Sequence, residues 1–166
     1  MKDLKGCIEY YHKNREANIV EYESYKWIAF KHFKDNYNKK YNSINEWICE
    51  VFAKSENLLA SYRYLPYEML KEFASKNGMP DRLQIQFGKL LQRDVLPTPE
   101  RVKEFIDGAK SIMRAMADGG YSDWNGRKNL QTYQDVHAVS VYLSMFYPND
   151  FYIYINTVFL RILQSR

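Results

Sequence analysis

TPERVKEFIDGAKSIMRAMADGG, residues 98–120, is the stretch from which the fold class is read. Thr98 offers a capping hydroxyl. Pro99 takes the first helical position, where its missing N–H costs nothing, and Glu100 lies near the positive end of the helix dipole. Val102, Phe105, Ile106, Ala109, Met113 and Met116 then recur on one face at the helical period, and Gly119 and Gly120 end the run. The stretch predicts a long amphipathic helix with one buried face.

The same signals recur along the chain. Ser43 and Glu46 form a capping box, followed by Ile44, Trp47, Ile48, Val51, Phe52, Leu58, Leu59 and Tyr62 close to one stripe. Residues 3–15 and 18–36 read as helices, the second carrying Trp27, Phe30 and Phe33. Pro66 opens a short helix with Met69, Leu70 and Phe73 inward, closed by Asn77 and Gly78. Pro80 opens another with Leu83, Phe87, Leu90 and Leu91 inward, ending before Pro97. Val136, Val139, Ser140, Leu143, Phe146 and Tyr147 form a further stripe, which Pro148 stops. After Asn149 the pattern fits a helix, yet the aromatic run FYIYI at 151–155 also has strand propensity. The expectation is a compact, all-α single domain over 1–166, with seven to eight helices and room for a short extended segment near 151–155.

The length of 166 residues suits one domain with a core that needs neither disulfides nor metals. Hydrophobic and charged shares of 46% and 27% are those of an ordinary soluble globular protein. Aromatics reach 16%, with 15 Tyr, which suits binding surfaces as well as cores with wet edges. A net charge of +4 and a pI near 8.9 permit phosphate contact without demanding it. Cys7 and Cys49 lie on separate predicted helices without metal-ligand spacing, so free intracellular thiols are expected. The N-terminal residues lack the apolar run of a signal peptide, and no segment approaches the ~20 apolar residues that cross a bilayer. A cytoplasmic protein without membrane contact is the expectation.

Catalytic patterns are thin. No Gly-rich phosphate loop occurs, and Ser140 and Ser144 lie inside a helix with no nucleophile elbow. His12 and His32 fall on polar helix faces without a partner at metal-binding spacing; Lys31 and Lys34 beside His32 suit it to a phosphate contact. Asp135 and His137 are close in sequence but point about 200° apart on a helix. Asp135 is better placed to cap, and His137 is either a satisfied core histidine or a hydrogen-bonding group at a pocket wall. No catalytic residue, metal site or cofactor is expected. The basic side is richer: Lys26, Lys31, Lys34, Lys39 and Lys40 are interleaved with Trp27, Phe33, Tyr37 and Tyr41. Such a mixture either holds phosphates and stacks bases or is a solvated helix face over core aromatics. Trp124, Arg127 and Lys128 make a second basic-aromatic patch in the only loop-like stretch, 119–129.

YKWIAFKHFKDN at 25–36 resembles the opening motif of the helical N-terminal domain of AAA+ GTPase subunits in McrB-type, modification-dependent restriction systems. The resemblance continues in order through Asn57, Leu58 and Leu59, PYEMLKEFA at 66–74, RLQIQFGKLL at 82–91, YQDVHAVSVYL at 133–143 and YPNDFYIY at 147–154. It implies an all-α, non-enzymatic target-recognition module of a restriction or phage-defence system, binding DNA at a modified or flipped base. It also implies an AAA+ GTPase motor in cis or trans, through which a homo-oligomer could form. The motif carries over Lys26, Trp27, Lys31, His32, Asn36, His137, Tyr142, Tyr152 and Tyr154, with Trp27 and Tyr142 packing between helices. Together with the basic patches, the expected nucleic-acid surface is Lys26, Lys31, His32, Lys34, Asn36, Trp124, Arg127, Lys128, Tyr152 and Tyr154. Two departures matter. The motor is absent from these residues, so no nucleotide activity transfers, and Ile155 stands where relatives tend to carry Lys. A fragment and a stand-alone relative both stay open. The alternative is an adaptor that docks protein through an aromatic surface.

Overall fold

The computed structural model of the chain describes residues 4–14, 24–59, 65–76, 78–92, 95–122 and 131–153, without the side chains of Leu4, Cys7, Ile8 and Tyr11. Every regular element among the described residues is a helix, and none is a strand. In chain order these are α1 (Leu4–Lys13), α2 (Ser24–Asn36), α3 (Ile44–Val51), α4 (Leu65–Ser75), α5 (Pro80–Leu90), α6 (Pro99–Asp118) and α7 (Val136–Phe146).

The stretch at 98–120 is α6 with its caps. Thr98 Oγ1 accepts from the amide of Arg101 at 3.4 Å, and Phe105, Ala109, Ile112, Met113 and Met116 are buried. Gly120 adopts a left-handed φ of 85°. Its amide then reaches the carbonyl of Ala117 at 3.0 Å while that of Tyr121 reaches Met116 at 2.9 Å. This Schellman closure satisfies carbonyls that a helix end would leave orphaned, and it is why a glycine stands there. α6 packs most extensively against α5, and α3 contacts α2, α4 and α5. At the α5–α6 crossing, a Cβ added to Gly108 would come within 2.3 Å of the Gln86 side-chain amide.

α3 begins at the expected capping box, with Ser43 Oγ accepting from the Glu46 amide at 3.1 Å. The reach-back differs by one residue: Glu46 Oε2 accepts from the amide of Asn42 at 2.8 Å. The helix also stops at Val51, short of the stripe running to Leu59. Ser55, wholly buried, turns the chain: its amide bonds Phe52, and its carbonyl accepts from Leu58 and Leu59 at 3.0 and 2.9 Å. Leu58 and Leu59 thus stay in the core without being helical. Tyr62 lies outside the described residues.

α7 is buried nearly all round, as an apolar helix at the centre of a domain must be. Ala138, Val139, Val141, Tyr142, Leu143, Ser144 and Met145 are all enclosed, whereas Val136, expected inward, is half exposed in the first turn. Asp135 caps it, its Oδ1 accepting from the Ala138 amide at 2.9 Å. Tyr142 packs in the core as expected. Trp27 does not: it is 66% exposed. The buried stripe of α2 is Ala29 and Phe33, and position 27 sits about 200° around the helix from position 29. Residues 151–153 have no regular structure, and the rest of the tail lies outside the described residues.

The core rings form a continuous lattice. Tyr37 stacks on Phe33 with centroids 5.3 Å apart, and Phe33 meets Phe52 and Phe146 at 5.7 and 5.2 Å. Trp47 meets Phe52 and Phe87 edge-on at 5.5 and 5.4 Å, and both of these meet Tyr142. Tilted and edge-to-face geometries of this kind are the favourable ones for ring quadrupoles.

Candidate functional site

The outer end of that lattice opens into a cleft of about 460 Å³ between the α2–α3 connection and α5. Tyr37, Tyr41, Trp47, Phe87 and Phe146 give it aromatic walls, completed by Ile44 and Leu91. Asn38, Lys39, Asn42 and Ser43 form one rim, Gln84 the other, and Gly88 leaves part of the α5 face bare.

The rim is shaped by the end of α2. Asn36 donates its side-chain amide to the carbonyl of His32 at 2.7 Å and accepts from Lys39 Nζ on Oδ1 at 2.7 Å. Its backbone carbonyl accepts twice, from the Lys39 amide at 3.0 Å and the Tyr41 hydroxyl at 2.9 Å. Burial, with Glu50 and Glu46 nearby, pushes the Tyr41 phenol up, which keeps its proton in place as that donor. Trp47 Nε1 leans on the carbonyl of Tyr37 at 3.4 Å. The side-chain amides of Asn42 and Gln84 face solvent with no hydrogen-bond partner among the described residues.

Of the ten residues expected to bind nucleic acid, the six that are described, Lys26, Lys31, His32, Lys34, Asn36 and Tyr152, do not line this cleft. Lys31 projects to solvent and pairs with Asp35 at 2.6 Å, and Lys34 is exposed on the same helix. Lys26 lies 5.9 Å from the Tyr25 ring centre. His32 is half-buried, not solvated: its Nε2 sits 2.7 Å from the carbonyl of Glu50. A carbonyl only accepts, so Nε2 carries a proton and ties α2 to α3. Asn36 is the clasp just described. Tyr152 is 84% exposed, and Trp124, Arg127, Lys128 and Tyr154 lie outside the described residues. His137 is half-buried and hydrogen-bonded within the fold, with Nε2 3.0 Å from the carbonyl of Leu58, while Asp135 is engaged in its cap.

The residues missed were partly legible. Tyr37, Lys39 and Tyr41 stand in the basic-aromatic run, at its C-terminal end. Gln84 and Gly88 are some forty residues further on, and only the packing of α3 on α5 brings them there. Gly88, inside a helix with no cap to make, was the one signal.

Comparison with protein-family models, curated proteins and solved structures found no match to this chain. Among the described residues, no three His, Cys, Asp or Glu side chains are grouped to hold a metal ion, and no helix is long and apolar enough to cross a membrane.

Proposed function

We propose that this domain is a non-enzymatic, cytoplasmic recognition module of a restriction or phage-defence GTPase system, and that it binds DNA with one base seated in the aromatic cleft. The observation that carries the reading is the cleft itself: ring walls beneath a rim of one lysine and three neutral amides. Rings stack any base, an amide pairs donor and acceptor against a base edge, and lysine holds a phosphate. A base reaches such a recess from a single strand or by leaving the duplex stack, modified or not. The ordered sequence resemblance supplies the context, an AAA+ GTPase motor in cis or trans. Asp135 and His137 are spent on structure, a helix cap and a bond to the carbonyl of Leu58, which supports a module that binds without turnover.

The second reading, a protein-docking adaptor, is favoured by Trp27 and Ile28, which lie 66% and 55% exposed beside each other on α2. Salt separates the two. DNA affinity that falls steeply between about 50 and about 200 mM salt supports phosphate recognition; no binding, or binding indifferent to salt, supports the adaptor.

A further inference from the structure

We infer that Lys39, positioned by Asn36, is the phosphate contact that sets nucleic acid over the cleft. The inference rests on the DNA reading above and names a residue outside the expected surface. Among the described residues, five lysine ammonium groups have a carboxylate at hand: Lys31 on Asp35, Lys71 on Glu68, Lys76 on Glu72, and Lys103 with Lys110 on Asp107. Lys39 is held instead by a neutral oxygen, Asn36 Oδ1 at 2.7 Å, so the contact fixes its direction without cancelling its charge. An ammonium has three donors, and this bond uses one.

Its setting is electropositive. Asp35, a carboxyl that feels the charge of Lys39, is held below the usual carboxylate range first by its hydrogen bond to Lys31, with the charges of Lys31, Lys34 and Lys39 adding to it. One acid thus faces three cations. A lysine at a helix C-terminus often serves only to complement the dipole and the last carbonyls. Here three carbonyls at the end of α2 are met by other groups: His32 by the Asn36 side chain, Phe33 by the Tyr37 amide, Asn36 by the Lys39 amide and the Tyr41 hydroxyl. The Lys39 side chain is bonded to none of them and stands on the rim of the cleft.

The test is the salt dependence of binding to a short fluorescein-labelled DNA, as duplex and as single strand, by anisotropy. For Lys39→Gln, binding should weaken, and the slope of log affinity against log salt should shrink by about 0.9 on duplex or about 0.7 on single strand, the loss of one phosphate contact. Asn36→Ala should weaken binding while leaving the slope near wild type, because the charge remains but is no longer aimed. Lys103→Gln should match wild type in both. A wild-type slope retained in Lys39→Gln overturns the inference and leaves the DNA reading standing. If wild type shows no salt-dependent binding, the DNA reading fails and the role of Lys39 fails with it. Lys39 is exposed, so its variant folds; should Asn36→Ala unfold, the Lys39 slope still decides.

Discussion

The phenol of Tyr142 donates to Oε1 of Gln134 at 2.6 Å in a place where neither side chain meets solvent. Gln134 passes the connection on, its Nε2 donating to the carbonyl of Pro66 at 2.8 Å and to that of Thr132 at 3.3 Å. This buried chain pins the segment entering α7 to the start of α4. Tyr142→Phe keeps the ring and strands the glutamine oxygen. An unmet buried acceptor costs about 1–3 kcal/mol, so urea unfolding should show a loss of that size. A variant as stable as wild type would mean that the bond contributes nothing net.

Gly108 and Gln86 offer a sharper test of packing. Alanine gains about 1 kcal/mol over glycine inside a helix, but its methyl would meet the Gln86 amide. That amide is the end of a flexible, half-buried side chain, so it can swing aside. Gly108→Ala should therefore fall short of the full gain, and Gln86→Ala with Gly108→Ala should recover it. Thermal unfolding of the two singles and the double closes the cycle; strict additivity would show that the side chains do not compete.

Alkali should reveal the buried phenols. Burial pushes Tyr67 up to about 12 from 10.0, assisted by Cys49 and the acids around it, and the Tyr142 phenol also lies well above its ordinary value. The raised value means that the folded state holds the proton more tightly. The contribution is thus complete below pH 10 and is lost as pH rises towards 12. For Tyr67 two units amount to about 3 kcal/mol at most. Stability measured by urea from pH 9 upward should fall less steeply in Tyr67→Phe than in wild type.

The cleft can be filled without touching the core. A Cβ at Gly88 meets nothing within 4 Å, and the residue lies inside α5 on the cleft face. Gly88→Leu should leave stability unchanged or raise it by up to about 1 kcal/mol. It should also weaken DNA binding about tenfold or more, the scale expected where base–aromatic stacking is worth about 1–3 kcal/mol. Undiminished DNA binding by the folded variant would move the contact surface away from the cleft.

Helix identity was legible because caps and apolar spacing are local. Thr98, Ser43 and Asp135 each cap the helix that their sequence announces. What sequence could not resolve was side-chain facing where the stripe is diluted by aromatics. Trp27 reads as core by composition, yet Ala29 and Phe33 define the buried face and leave it outside. α3 runs out at Val51 because buried Ser55 turns the chain inward, which an apolar count through Leu59 cannot register. The basic-aromatic run was visible, but sequence alone did not separate the residues that line the cleft, Tyr37, Lys39 and Tyr41, from those that do not. His32 and Asn36 look like ligand groups and are engaged within the fold, His32 by a tertiary bond to Glu50 and Asn36 by local bonds at the end of α2.

The rim closed by Asn36 and Tyr41 separates two jobs along the chain. Its outward residues Asn38, Lys39, Asn42 and Gln84 are all exposed, and the amide of Lys39 that bonds the carbonyl of Asn36 is backbone, retained by any residue but proline. The rings below them belong to the core. On the proposed DNA reading, preference for one base over another would be retuned at these four surface positions while the scaffold stays constant, which makes them the natural target for a library selected against altered bases.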